Sequence, residues 1–117
     1  MRPIAEALAQ VLLEHHRQVC RPRNRVPSAV SDKDVGECII PYGGLCKRAQ
    51  PSCAPIGIGS FLFEIATWCS DQRPAWPPIN SLAVNKKTRV PGSNYPGRDW
   101  AKEVRECIAF KGYPDKL

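Results

Sequence analysis

The sequence predicts a single, mainly α-helical domain. The chain has 117 residues, a usual length for one domain, and 43% of them are hydrophobic, which is enough for one core. Three segments carry apolar residues at helical spacing, and a proline-rich stretch with a short strand-like run separates the second from the third. These observations favour helices packed around one core, with very little β-sheet.

The first predicted helix covers residues 3–19. Its apolar stripe consists of Ile4, Leu8, Val11, Leu12, His15 and Val19. The next stretch, "RPRNRVPSAVSDKDVGECII", is rich in Pro, Ser, Asp and Arg, and this composition predicts a loop. The basic residues in this loop, and its acidic residues Asp32, Asp34 and Glu37, are expected to be solvated. A metal or acid–base role for the carboxylates is the less favoured alternative.

Two short helices are predicted in the middle of the chain. "PYGGLCKRAQ" is typical of a short helix with Pro41 near its first turn. "IGIGSFLFEIATWCSD" resumes the helical pattern with apolar residues on one side: Ile58, Phe61, Leu62, Ile65 and Cys69. Two short helices separated by a tight turn form the outline of a helix-turn-helix.

The C-terminal part is predicted to be a strand, a basic turn and a last helix. "QRPAWPPIN" contains three prolines and cannot be helical. "SLAVN" should form a short strand, and "KKTRVPG" a turn or wing tip. Asp99 can cap a helix over "WAKEVRECIAFKG", with Gly112 as its stop and with Trp100, Val104, Cys107 and Ile108 as its buried stripe. The predicted fold is therefore helix-turn-helix-like and winged, with flanking N- and C-terminal helices.

Charge favours an anionic partner. The chain has 17 basic and 11 acidic residues, a formal net charge of +6, which suits nucleic acid but is also compatible with a merely solvated basic surface. No apolar run approaches the roughly 20 residues of a membrane span. Glu6 and Glu14 interrupt the N-terminal segment, which therefore does not resemble a signal peptide. We expect a cytoplasmic protein with no membrane partner.

Six cysteines leave two interpretations open. They are Cys20, Cys38, Cys46, Cys53, Cys69 and Cys107. An even set is typical of disulfide-bonded secreted domains. Three of the six lie at apolar positions of helical patterns, and together with the lack of an export signal this favours free, buried thiols. The gaps between cysteines are irregular and His15, His16 and Cys20 lack zinc-site spacing, so neither a metal nor another cofactor is expected.

Residues 40–112 resemble the C-terminal, DNA-binding domain of the O6-alkylguanine-DNA alkyltransferases and their alkyltransferase-like relatives. The motifs that carry the resemblance occur in the family's order: "PYGGLCKRA", "IGIG", "PPINSLAVN", "GSNYPG" and "DWAKEVRECIAFKG". The chain is closest to a variant known from small uncharacterised bacterial proteins. The resemblance implies an N-terminal segment over residues 1–39, a winged-helix domain over residues 40–117, and binding to double-stranded DNA.

The chain departs from the family where the chemistry occurs. The repair enzymes transfer the alkyl group to the cysteine thiolate of a Pro-Cys-His-Arg motif, which here reads Pro78-Ile79-Asn80-Ser81. Alkyl transfer, and enzyme activity in general, are therefore not expected. Ile56 replaces the arginine that the family inserts into the base stack, and an apolar wedge can also unstack bases. Tyr42 matches the family tyrosine beside the phosphate of the displaced nucleotide.

The resulting hypothesis is a non-catalytic DNA-binding module that grips duplex phosphates. Its candidate contact residues are Tyr42, Lys47, Arg48, Ile56, Gly57, Ser60, Asn80, Asn85, Lys86, Lys87 and Arg89. The alternative is a prophage-type inhibitor or effector that binds a host protein through the same surface. Ile56 and the acidic Glu64 on the predicted recognition helix favour this alternative. A small nuclease or toxin is disfavoured because no convincing catalytic set is visible.

Overall fold

The fold consists of packed helices and one two-stranded parallel sheet. The structure, a computed structural model, describes residues 1–49 and 54–117. In those residues the helices are α1 (Pro3–His15), α2 (Asp32–Cys38), α3 (Tyr42–Ala49), α4 (Gly59–Ser70) and α5 (Trp100–Ala109). Strand β1 (Ile40–Pro41) pairs in parallel with β2 (Ala83–Val84), with Ile40 opposite Ala83 and Pro41 opposite Val84. The predicted mainly α architecture is confirmed.

The first helix is close to the prediction and slightly longer. After α1 the chain continues as a π-helical turn over His16–Cys20 and a 3-10 turn over Arg21–Arg23. Leu8 and Leu12 are completely buried, and α1 packs against both α3 and α4. The long N-terminal helix is therefore the element on which the other helices assemble.

The predicted loop over residues 21–40 contains a helix, so that part of the prediction is wrong. Ser31 and Asp34 form a reciprocal cap at the start of α2. The Ser31 Oγ accepts from the Asp34 backbone N–H at 3.1 Å, and Asp34 Oδ2 accepts from the Ser31 N–H at 3.0 Å. Asp34 is 4% exposed and forms ion pairs with Arg23 and Arg25 at 3.0 and 3.1 Å. These contacts outweigh the weak helix propensity of the segment, and Asp34 is not the solvated residue that the sequence predicted.

Gly36 offers a test of α2. A Cβ at this position would meet no other atom within 4 Å. We expect Gly36→Ala to raise the free energy of unfolding by about 0.5–1 kcal/mol, because alanine loses less conformational freedom in a helix. Urea denaturation at neutral pH measures this change. The matched control is Gly57→Ala, which also has open space but has a φ of +87°, so it should be destabilising. A loss of stability in Gly36→Ala would contradict the helix.

The tight turn predicted between α3 and α4 includes residues 50–53, which lie outside the described residues. Pro55–Ile58 form a turn of their own before α4 begins, closed by the Ile58 N–H donating to the Pro55 carbonyl at 3.4 Å. Both helices pack mainly against α1 rather than against each other.

One hydrophobic cluster forms the core. It contains residues of both the predicted N-terminal segment (1–39) and the predicted winged-helix domain (40–117). Cys46, Cys69 and Cys107 are buried in it, which confirms their predicted role as small hydrophobic residues. Cys69 and Cys107 are free thiols, as are the buried Cys20 and Cys38. Cys53 lies outside the described residues.

The last helix begins as predicted and ends earlier. The Asp99 side chain accepts from the Lys102 N–H at 3.3 Å and caps α5. The helix ends at Ala109, three residues before Gly112, because Phe110 is extended and turns the chain so that Tyr113 enters the core at 5% exposure. In the described part of the chain, no helix is long and apolar enough to cross a membrane.

Candidate functional site

A cavity of about 200 Å³ lies beside the start of α4. It is enclosed by the first residue of α3, the first turn of α4, a 3-10 turn over Ile79–Leu82 that precedes β2, and the loop over residues 92–96. Its lining residues are Tyr42, Ile58, Gly59, Leu62, Asn80, Ala83, Gly92, Ser93, Asn94, Tyr95 and Pro96. All of these side chains are uncharged, so a ligand here would be held by hydrogen bonds and apolar contacts.

The small parallel sheet positions Tyr42. Strand β1 leads directly into α3, and its partner β2 follows the 3-10 turn that carries Asn80. Two candidates that are 38 positions apart in the numbering are therefore brought to one cavity. The Tyr42 hydroxyl accepts a hydrogen bond from the Gly92 N–H at 2.8 Å. Because this bond uses only a lone pair, the hydroxyl proton can still be donated to a ligand.

Glu103 of α5 holds the 92–98 loop in place. The Tyr95 hydroxyl donates to Glu103 Oε1 at 2.6 Å, and the Arg98 N–H donates to Oε2 at 3.3 Å. Burial, with the hydrogen bond to Glu103, raises the pKa of Tyr95 well above its usual value, so the donor stays protonated. A Cβ on Gly97 would collide with Glu103 Oε1 and the Tyr95 ring, so a larger residue there would displace the contacts that hold this loop.

Asn80 is a buried polar group at the wall of the cavity. It is 2% exposed, and its Oδ1 has no hydrogen-bond partner among the described residues. It also borders a neighbouring groove formed with Phe63, Thr67 and Trp76. Leaving a buried acceptor unpaired costs about 1–3 kcal/mol. Such a residue at the wall of a cavity is a candidate for ligand binding rather than for stability.

The exposed side of α4 carries one large apolar side chain and no uncompensated charge. Ile56, just before the helix, is 94% exposed, and Phe63 in its middle is 60% exposed. The Arg2 N–H donates to Glu64 Oε1 at 2.8 Å, the Arg2 Nε donates to the other carboxylate oxygen, and the Arg2 guanidinium also donates to the Ser60 hydroxyl at 3.2 Å. These bonds lower the pKa of Glu64, and the bond from the Arg2 backbone N–H contributes most. The carboxylate that weakened the DNA hypothesis is therefore compensated.

The basic turn is built around Asn85. Its Oδ1 accepts from the Lys87 N–H at 2.8 Å, and its own N–H donates to the Val90 carbonyl at 2.9 Å. Lys86 and Lys87 are exposed. The turn begins at the end of β2, beside the residue that precedes Tyr42, and returns at Gly92, which bonds to Tyr42. The base of the turn therefore adjoins the cavity.

Arg89 faces a different part of the protein. Its φ is 63°, and its guanidinium donates to the Gly36 carbonyl of α2 at 2.7 Å. It lines a groove between α2 and α5 with Asp32 and Arg105. The other four cations of the candidate set are exposed and have no such bond within the described residues. They are Lys47, Arg48, Lys86 and Lys87.

The structure brings some of the predicted site residues together and not others. Tyr42 and Asn80 share the cavity, and Gly57 and Ser60 lie in a shallow groove at its outer edge with Asn94. Asn85 supports the backbone of the basic turn. Arg2 and the loop residues Ser93 and Asn94 were missed as candidates. The "GSNYPG" motif signalled the loop, whereas no local pattern signalled Arg2.

The polar groups that line the cavity are suited to hydrogen bonding. Ile79, at the position of the family's reactive cysteine, is completely buried, and none of the described cysteines lines the cavity. No group of three or more His, Cys, Asp or Glu side chains within residues 1–49 and 54–117 could hold a metal ion. His15 and His16 instead bond to the carbonyls of Cys38 and Cys107, at 2.6 and 2.7 Å.

No known protein family, curated protein or solved structure matches this chain.

Proposed function

We propose that the protein binds double-stranded DNA without reacting with it. The observation that carries this proposal is the placement of the exposed Lys86–Lys87 pair on a turn that adjoins an uncharged cavity walled by Tyr42 and Asn80. In this proposal the fold acts as a winged-helix variant of alkyltransferase-like type. The 85–90 turn takes the place of the wing, and α3 and α4 form the two-helix unit.

Phosphate contacts would supply most of the affinity. Lys86 and Lys87 project from the turn, and Lys47 and Arg48 are exposed at the end of the helix that Tyr42 begins. Contacts from lysine and arginine to phosphates fix the orientation of a protein on a duplex without reading its sequence. Binding should therefore weaken steeply as salt concentration rises.

The start of α4 would approach the bases. Ile56 is almost fully exposed on the turn that precedes the cavity, where an apolar side chain can enter between two base pairs. The cavity, at about 200 Å³, is smaller than the ~300–1,000 Å³ pockets of drug-sized ligands and suits one extruded base. Asn80, Tyr42 and the loop side chains would hydrogen-bond to that base.

The lysine pair gives the decisive test. We expect the double variant Lys86→Glu, Lys87→Glu to bind a mixed-sequence duplex about tenfold more weakly at low salt, with the slope of log K against log salt reduced by about two, because two phosphate contacts are lost. Fluorescence anisotropy over a salt series measures both quantities. The control is Lys111→Glu, Lys116→Glu, which makes the same charge change at exposed positions near the C-terminus. Equal affinities for the two double variants would refute the assignment of the turn.

A protein partner is the second candidate, favoured by Phe63. This side chain is 60% exposed in the middle of α4 and borders three shallow grooves. Exposed aromatic side chains flanked by grooves are common anchors of protein interfaces. Copurification of one stoichiometric protein, lost in Phe63→Ser, together with no anisotropy change on any DNA, would favour this function over DNA binding.

A further inference from the structure

Two buried thiols lie side by side between the first helix and α2. Cys20 is the last residue of the π-helical turn that extends α1, and Cys38 is the last residue of α2. Both are 0% exposed and belong to the same core cluster. The two thiols interact directly, and this interaction is the largest influence on the pKa of each. They are neighbours in the core although 17 residues separate them in the sequence.

Hydrogen bonds outside the thiols fix this pairing. The His15 ring bonds through Nε2 to the Cys38 carbonyl at 2.6 Å. His15 precedes the π-helical turn that ends at Cys20, so this bond holds the end of α2 close to the turn that carries Cys20. Arg23 donates to the carbonyl of Val19 at 3.2 Å and to the Glu37 carboxylate at 3.1 Å. One guanidinium thus holds the residue that precedes each cysteine.

The electrostatic surroundings distinguish the two sulfur atoms. The hydrogen bond from Cys20, with the nearby Arg23 guanidinium, lowers the pKa of Cys38 despite its burial. The same hydrogen bond, with burial, raises the pKa of Cys20. By contrast, burial raises the pKa of Cys69 to about 11 and that of Cys107 to about 12. Of these four thiols, Cys38 is the one whose pKa is lowered, and the thiolate is the reactive form.

We propose that Cys20 and Cys38 are a redox-active pair, which hydrogen peroxide converts to an intramolecular disulfide. The Cys38 thiolate attacks one peroxide oxygen, the O–O bond breaks, and hydroxide leaves and takes up the proton that Cys38 had lost. The resulting sulfenic acid is attacked by the Cys20 sulfur. The S–S bond forms as the S–O bond breaks, and the oxygen leaves as water with the Cys20 proton. Two thiols are oxidised by two electrons, and one peroxide is reduced to two waters.

This site is independent of the proposed DNA-binding surface. The disulfide would tie the end of the long N-terminal helix to the end of α2, which leads directly into β1. Because both sulfur atoms are buried, peroxide reaches them only when α2 opens locally. The reaction should therefore be slower than that of an exposed cysteine with a similarly low pKa, and mild urea should accelerate it.

Thiol counting tests the proposal on the full chain. Reduced protein is treated with hydrogen peroxide, denatured, alkylated and weighed by mass spectrometry. We expect Cys20 and Cys38 to become resistant to alkylation together, at a rate that does not depend on protein concentration, and dithiothreitol to restore both thiols. An unchanged count, or oxidation that requires a second molecule, would refute the proposal.

Alanine variants assign the pair. Cys38→Ala should keep the Cys20 thiol under the same treatment, whereas Cys20→Ala should lose the Cys38 thiol to sulfenic acid without forming a disulfide, because no partner sulfur attacks it. Cys69→Ala removes another fully buried thiol and should still lose the Cys20 and Cys38 thiols. If any of these variants does not fold, cleavage of the oxidised parent with trypsin and chymotrypsin separates Cys38 from Cys46 at Tyr42 and shows which sulfur atoms are joined. A bond that involves any other cysteine, including Cys53, would overturn the assignment.

Discussion

Acidification from pH 7 to pH 4 should lower the free energy of unfolding by about 3 kcal/mol through His16 alone. The His16 side chain is 1% exposed, and the Tyr113 ring lies edge-on to it with 4.8 Å between the ring centroids. Its Nε2 must carry the proton, because it bonds to the Cys107 carbonyl at 2.7 Å and a carbonyl can only accept. Nδ1 is buried with no partner among the described residues, so a second proton there would be unsatisfied.

The direction of the effect follows from the two pKa values. Burial, partly offset by the Cys107 bond and reinforced by Arg21, lowers the pKa of His16 from 6.5 to about 4 in the folded protein. In the unfolded chain the ring keeps a pKa near 6.5. As the pH falls through this window the unfolded chain binds a proton that the folded protein does not. The stabilisation is complete above about pH 6.5 and is lost progressively down to about pH 4.

His16→Gln separates this effect from general acid denaturation. Glutamine can place an N–H near the Nε2 position without titrating in this range, so the variant should be less stable than the parent at pH 7 but lose much less stability by pH 4. Urea denaturation at half-unit pH steps measures the difference between the two curves. His15 remains in both proteins, and burial lowers its pKa as well. It therefore contributes the same dependence of stability on pH to both curves. Parallel curves would show that His16 is not the titrating group.

The elements that the sequence predicted well are those that bury a long apolar stripe. The first helix and α5 were placed from the spacing of residues such as Leu8, Leu12, Val104 and Cys107, all of which are buried. Helix α2 was missed because it is short, contains Gly36 and depends on contacts with a separate loop. The Ser31–Asp34 cap was visible as "SDKD", but the ion pairs of Asp34 with Arg23 and Arg25 were not.

The candidate site was only partly predictable for the same physical reason. Tyr42 and Asn80 were identified from motif order, and the parallel pairing of β1 with β2 brings them together. Long-range side-chain contacts decide the rest. Arg2 pairs with Glu64 across 62 positions, and Arg89 bonds to Gly36 across 53. Neither contact leaves a periodic signal, so the sequence misjudged the charge of α4 and grouped Arg89 with Lys86 and Lys87 as a contact residue of the turn.

Replacing Asn80 with leucine should separate stability from binding. Leucine has nearly the same shape and removes an acceptor that has no partner in the described residues, so we expect the free energy of unfolding to rise by about 1 kcal/mol. The same change removes the polar group at the cavity wall. Under the proposed function it should weaken duplex binding by about 10- to 100-fold, since hydrogen bonds to a base are worth about 1–3 kcal/mol.

Asn85→Leu is the matched control for the stability of Asn80→Leu. The Asn85 Oδ1 accepts from the Lys87 N–H at 2.8 Å, so its loss should destabilise the protein by about 1 kcal/mol. Urea denaturation and fluorescence anisotropy on the same preparations give both quantities. A destabilised Asn80→Leu would show that the amide supports the fold, whichever ligand the cavity takes. A stabilised variant with unchanged DNA affinity would instead remove the cavity from the proposed interface and leave the phosphate contacts of Lys86 and Lys87 as the basis of binding.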